Sequence, residues 1–405
     1  MPNRDHFKKL MILGAGLFQA PGIRKAVGLG HYVISVDNRP ESIGHKYSHQ
    51  YLNCSTVERE TLASQAAKLG IDGICTFSSD IAVPSVGYVC ERLGLPGVSF
   101  AVAQSMSRKD RFREAQRQAT LPHPTFIVVR SAEELPTVSR ELRFPLVFKP
   151  VDSSGSRGVR ILHRPRVEEM TDAFDFANSF SSSGRVCVEE FVGGTEFGGD
   201  GIIRDGEFVF LAITEKRLQR FVVTGHYFPP GLTREKQDLI GKALEECCRA
   251  VGYTDGPLNF DVKIAADQVT VLEMSSRNGG NGIPAIIKHA TGVDVEEATI
   301  CLALGEGWHP LPAGDFMPAA GSLILGSPVK GTLKSVRSFE EVNQLVPELA
   351  ELNVVVSVGD PVSSFEHNGH SIGYAVFDYK PPDTYADVAA RIRDALDIQV
   401  EANSH

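Results

Sequence analysis

In the first hundred residues, short apolar runs alternate with stretches of helical periodicity, and this alternation restricts the fold more than any other feature of the chain. Residues 10–13, 31–36 and 73–77 read as strands, and 21–28, 58–69 and 81–93 read as helices, the last closed by Gly94. Such alternation predicts a parallel sheet covered by helices on both faces. Gly14-Ala-Gly16-Leu-Phe-Gln19 follows the first strand, where a dinucleotide fingerprint would place Gly-x-Gly-x-x-Gly, but glutamine stands at the third glycine. The expectation is a tight turn feeding a helix. Ser79 and Asp80 follow the third strand, at the edge where such sheets bind ligands, so a substrate contact there is one reading.

A chain of 405 residues is too long for one compact core. Ser107 is placed to cap a helix over 108–119, which Pro122 and Pro124 end. Strands over 125–129 and 145–149 flank a helix over 133–142, and 185–261 is rich in strand-like runs. The clearest amphipathic helix spans 234–251, with Leu239, Ala243, Leu244, Cys247 and Val251 at helical spacing. After Pro310 the chain turns to proline, glycine and short strands, and ends in a helix over 385–396.

Apolar residues make up 42% and charged residues 22% of the chain, as in ordinary globular proteins. A net charge of −9 argues against a nucleic-acid partner, which needs a basic face. No apolar run approaches the ~18–20 residues of a membrane span, and the residues ahead of the first strand are polar and charged. The expected compartment is therefore the cytoplasm, with no membrane partner. Seven scattered cysteines, without a Cys-x-x-Cys, predict reduced thiols.

The chemistry concentrates in three segments. Asp261 and Glu273 lie on β-like runs joined by the turn Ala265-Ala266-Asp267-Gln268. Paired as a hairpin, the two carboxylates reach one point, as a hard cation such as Mg²⁺ requires. Phe260, Val262, Leu272 and Met274 alternate with them and are expected on the opposite face. Arg277 follows four residues later, beside the metal pair or bound to Glu273. Upstream, a short buried strand ends in Lys149, a residue rarely buried without a partner. A small flexible loop follows, with Ser153, Ser154, Gly155, Ser156 and Gly158. Its backbone N–H groups can cradle a triphosphate, although the lysine precedes the glycines and the loop is not a Walker A motif. A third strand carries Glu189, Glu190, Phe191 and Val192 into a turn that ends at Glu196.

In this order the segments resemble the ATP-grasp superfamily, and within it the carboxylate–amine ligases, over roughly residues 9 to 310. The resemblance implies an N-terminal Rossmann-like α/β domain over 1–105 and an ATP-grasp fold of two subdomains, 106–188 (lid) and 189–312. A small β-rich C-terminal subdomain over 313–405 would follow. It assigns Lys109 and Lys149 to the nucleotide phosphates, with Lys216 as a third phosphate lysine. Glu189 and the backbone of Glu190 and Val192, on either side of Phe191, would meet adenine, and Glu196 the ribose. Asp261 and Glu273 would hold Mg²⁺, with Mn²⁺ as the alternative ion, and Arg277 would stabilise the reacting oxyanion. Where the family has asparagine two residues after the metal-binding glutamate, this chain has Ser275, so Ser275 or Asn278 would take that place, or one of the two metal ions would be held less firmly. His226 would wall the acceptor pocket, and the Asn278-Gly-Gly-Asn281 loop could offer N–H groups to a substrate carboxylate. The implied activity is ATP-dependent amide formation through an acyl phosphate, on small carboxylate and amine substrates, amino acids foremost, by a homodimer. Two rivals stand beside it: a bicarbonate-activating carboxylase or carbamoyl-type enzyme, and a nucleotide-binding protein without catalysis.

Overall fold

A computed structural model describes residues 7–219, 222–310 and 319–402. The expected parallel sheet is present, with the order Gln50–Asn53, Tyr32–Asp37, Lys9–Leu13, Gly73–Thr76. Helices Ala20–Gly28, Arg59–Leu69 and Val83–Leu93 accompany it. The edge strand Gln50–Asn53 was not expected; its four residues, Gln-Tyr-Leu-Asn, set two large apolar side chains in succession rather than alternating apolar with polar. At the first turn Gln19 does work that a third glycine could not. Its Oε1 accepts from the Gly16 N–H at 3.0 Å, and its Nε2 donates to the Phe77 carbonyl at 2.7 Å, locking the turn that feeds the helix.

Helices Phe100–Ser107 and Lys109–Gln118 lead into a four-stranded antiparallel sheet. Ser107 does not cap the second helix. It is the last residue of the first, and its hydroxyl donates back to the Ala103 carbonyl at 2.7 Å. The Lys109 N–H donates instead to the Val151 carbonyl at 2.9 Å, which ties the start of that helix to the serine–glycine loop. The sheet runs Phe126–Val129, Val186–Glu190, Leu146–Pro150, Arg160–Leu162. Leu135–Glu141 and the unforeseen helix Val167–Asn178 bury Val138, Met170, Ala173 and Phe174 against it.

The largest sheet has eight strands: Gln268–Ser275, Gly256–Ala265, Thr195–Arg204, Glu207–Gln219, Val222–Phe228, Ala319–Leu325, Gly373–Tyr379, Leu349–Val354. Three strands from the C-terminal region therefore extend the sheet that carries the candidate site. Helix Arg234–Val251 covers it, capped by Thr233 and closed by Gly252 in the left-handed region. Its buried face is Ile240, Leu244, Cys247, Cys248 and Val251, whereas Leu239 is 41% exposed, so the apolar stripe is rotated from the sequence reading. The terminal helix Tyr385–Leu396 has the expected bounds, with a Thr384/Asp387 capping box. All seven cysteines are free.

Candidate active site

Asp261 and Glu273 stand directly opposite each other in the hairpin Gly256–Ala265/Gln268–Ser275. The ladder has a bulge here: Asp261 faces Glu273, but Val262 faces Val271, which leaves Leu272 as the extra residue. A bulge re-aims a side chain, and Leu272, expected on the opposite face, instead joins Asp261 and Glu273 in lining a cavity of about 180 Å³. Asn259, Asp261 and Lys263 share the partly exposed face of their strand, while Leu258, Phe260, Val262 and Ile264 enter the core.

Lys109, Lys149, Ser153, Ser154, Gly155, Ser156, Glu189, Glu190, Phe191, Val192 and Glu196 line the same cavity. Gly158 does not line it. It adopts φ +74°, and a Cβ there would approach Pro150 and Phe180 to 2.9 Å, so it packs the return of the loop. Lys149 pairs with Glu189 at 2.7 Å, and Lys109 with Glu273 at 3.1 Å. Glu189 also receives Arg113, which is fully buried, at 2.9 Å. Burial alone would raise Glu189, but Arg113 and Lys149 hold it at about 2. Burial lowers Lys149, an effect Glu189 offsets only in part, whereas the carboxylates around Lys109 outweigh its burial and raise it. Glu190 turns outward and accepts from the Arg143 N–H at 2.9 Å.

Lys216 lies between two acids, 2.6 Å from Asp261 and 3.0 Å from Glu196. Lys263 reaches the Val192 carbonyl at 2.9 Å and lies over the Phe191 ring. Asp261 is raised by burial and, after the opposing pull of Lys216, by Glu196 and Glu273. Asp261 and Glu273, opposed across the hairpin, present their carboxylates to the same cavity, a donor set that fits a hard divalent ion. Asp261 and Glu273 could hold that ion, and Ser275, buried on the same strand, lines the adjoining cavity of about 210 Å³.

Arg277 is bound not to Glu273 but to Asp80, with Nε to Oδ1 at 2.8 Å and a second, shorter contact through Nη2. Its Nη1 donates to Asn259 Oδ1 at 2.6 Å. The Asn259 amide in turn donates to Asp200 at 2.9 Å, and Asp200 accepts from the Gly279 N–H at 2.8 Å. Burial pushes Asp200 up to about 7, with Asn259, Arg277 and Gly279 opposing. Asp80 thus comes to the site as its strand-edge position suggested; Ser78, rather than Ser79, lines the cavity beside it. His226 is buried opposite Lys216 on the neighbouring strand, with Nδ1 2.9 Å from Thr214 Oγ1. Burial and Lys216 hold its pKa well below the ordinary value, so it is neutral at pH 7. Asn278 does not take the place of the missing asparagine. Its side chain is buried and committed to the Val295 carbonyl and the Thr299 hydroxyl.

Arg113, Lys263, Asn259 and Asp200 escaped the sequence reading. Three of them had a local signal: Arg113 is one helical turn beyond Lys109, and Asn259 and Lys263 lie two strand positions on either side of Asp261, so each shares a face with a residue already singled out.

A family model for the ATP-grasp domain matches residues 142–285. Over those residues the chain matches an ATP-grasp domain, and its mixed α/β architecture is consistent with that fold. An uncharacterized protein, y4rH, of Sinorhizobium fredii is 28% identical over 79% of this chain and 67% of its own length. The L-arginine-specific L-amino acid ligase of Bacillus subtilis is 20% identical over 78% of each chain. The crystal structure of L-amino acid ligase from Bacillus licheniformis superposes with a TM-score of 0.81 at 22% identity, covering 98% of this chain and all of that one.

Proposed function

We propose that this protein is an ATP-dependent carboxylate–amine ligase that forms an amide bond through an acyl phosphate and releases ADP and phosphate. The observation that carries the proposal is the pairing of Asp261 with Glu273 at opposed positions, with Lys109, Lys149 and Lys216 around them and Arg277 in the adjoining cavity. That cavity also holds Asp80, Ser275 and Asn281, and so offers a substrate space that adjoins the space for phosphate.

The first step brings a substrate carboxylate to the γ-phosphorus, so two anions must meet. Mg²⁺, when held by Asp261 and Glu273, supplies charge neutralisation to the phosphates. Lys109 and Lys149 add fixed positive charge, and entry of the ion and nucleotide exchanges their present carboxylate partners for phosphate oxygens. The loop at 153–156 closes one side and excludes water that would hydrolyse the acyl phosphate. The side chains of Leu272 and Phe191 and the aliphatic stem of Lys263 give the first cavity the apolar walls a purine needs. In the second step the amine nitrogen adds to the acyl carbon, loses its proton, and phosphate departs. Arg277, fixed on Asp80 and Asn259, stabilises the oxyanion of that addition. His226, being neutral, shapes the pocket without adding charge. The relatives that carry ligase names support an amino acid as one substrate, and the proposal extends to cytoplasmic action as a homodimer.

The test is ADP and phosphate release in matched mixtures. Release that needs both an amino-acid carboxylate and an amine, and disappears in Asp261→Asn and Glu273→Gln, supports the ligase. Release with bicarbonate alone would move the reading to a carboxylase-type reaction, and no release in any mixture would leave a nucleotide-binding protein without catalysis.

A further inference from the structure

A second cavity, of about 380 Å³, adjoins the reaction cavity and shares Phe18, Ser78 and Gly280 with its wall. Its size falls in the ~300–1,000 Å³ range of small-molecule sites. Phe18 and Tyr374 stack with ring centroids 5.5 Å apart and form an apolar flank. Farther along, the lining is charged, and the charges are unevenly engaged. Lys25 and Lys288 both bind Asp294, Lys288 at 3.0 Å. Arg24 lies over the Tyr47 ring at 5.2 Å. The cations therefore have partners. Glu351 has a contact of 3.6 Å to His289, and the Glu296 carboxylate has no hydrogen bond or ion pair among the described residues. Burial, with Asp294 adding to it, pushes Glu296 up to about 7 against the pull of Lys25 and Lys288.

We propose that this cavity is the side-chain subsite for one of the two substrates, and that it selects an amino acid whose side chain ends in an ammonium or guanidinium group. The inference rests on the ligase reading for the position of the reacting end, in the cavity of Arg277. From there the side chain passes between Phe18 and Gly280, its methylene stem lies along the Phe18–Tyr374 pair, and its charge meets Glu296 and Glu351. An uncharged side chain of equal length would leave Glu296 desolvated and unpaired, which is how a polar pocket rejects the wrong analogue.

The test is calorimetric titration of the full chain, with MgADP present, using lysine and arginine against their uncharged counterparts norleucine and citrulline. The charged member of at least one pair binds at least about tenfold more tightly, the difference expected of a hydrogen bond between charged groups. In Glu296→Gln that preference falls to less than about twofold, and Glu351→Gln shifts it in the same direction. The MgADP affinity of each variant, measured separately, reports that it has folded. Equal binding of charged and uncharged members, or a preference that survives Glu296→Gln, overturns the subsite. ADP release in parallel mixtures, with MgATP in place of MgADP and a second amino acid present as the amine, separates the two claims. Selective binding without turnover would sink the ligase reading and leave the subsite standing. Turnover with no preference for charge would sink the subsite and leave the ligase.

Discussion

At the scale of single residues, the account depends on Arg277 being held rather than mobile. Its guanidinium is fixed by Asp80 on one side and Asn259 on the other, a preorganised donor that costs no rearrangement when charge develops. Arg277→Ala is expected to lower kcat by about 10²–10³, the usual effect of losing one oxyanion donor, with nucleotide affinity nearly unchanged. Steady-state kinetics beside nucleotide titration checks this, and a loss of only a few-fold would remove Arg277 from the chemistry. Asp200 gives a second prediction. Its folded pKa is raised to about 7 by burial, so between roughly pH 4 and 7 the folded chain binds a proton that the unfolded chain has released. Unfolding free energy therefore falls as pH rises through that window. Asp200→Asn, which cannot ionise, should gain stability relative to the parent from pH 5 to 7 and hold the gain above it. Denaturant unfolding at a series of pH values reads the difference, and parallel curves would contradict the assignment.

At the scale of elements, helix Arg234–Val251 shows what periodicity can and cannot deliver. Its bounds follow from Thr233, Gly252 and the apolar spacing, all present in the sequence. The phase of its buried face does not, because Leu239 and Ile240 are equally apolar and only the packed sheet decides between them. Leu244→Ala should cost about 2–5 kcal/mol, the range for a truncated core leucine. Leu239→Ala should stay within about 0.5 kcal/mol, as for other exposed positions. Thermal or urea unfolding of the two variants tests the phase directly, and the reverse order would restore the original face. The acidic hairpin shows the same division. Its turn and its two acidic positions could be read from the chain, and the structure pairs them. The bulge at Leu272 could not be read, because strict alternation is the only pattern a strand displays before its partner is known. Helix Val167–Asn178 did carry a signal, with Met170, Ala173, Phe174 and Ala177 at helical spacing, but it followed a proline- and arginine-rich loop that masked its start.

At the scale of the whole molecule, the site is assembled from segments far apart in the chain. Asp80 lies at the edge of the N-terminal parallel sheet and Arg277 beyond the acidic hairpin, while Lys109 opens a helix and contacts Glu273. Residue types could be picked out along the chain because the order of lysine, loop, acidic strand and hairpin is itself a pattern. Which residues meet could not, since the Asp80–Arg277 pair depends on how two sheets dock and the Arg113–Glu189 pair on how a helix docks on a sheet. Asp80→Asn tests that docking. It should lower kcat by up to about 10²-fold through misplacement of Arg277 while leaving nucleotide binding intact, as equilibrium titration would show; unchanged turnover would mean that the contact between sheets is structural only. The central claim is that Asp261 and Glu273 jointly hold the metal ion of a nucleotide laid against Lys109 and Lys149. A crystal soaked with Mn²⁺ and a non-hydrolysable ATP analogue tests it most directly. The account predicts an anomalous peak within coordination distance of both carboxylates, with the phosphates on the two lysines; a peak elsewhere, or nucleotide density away from this hairpin, would contradict it.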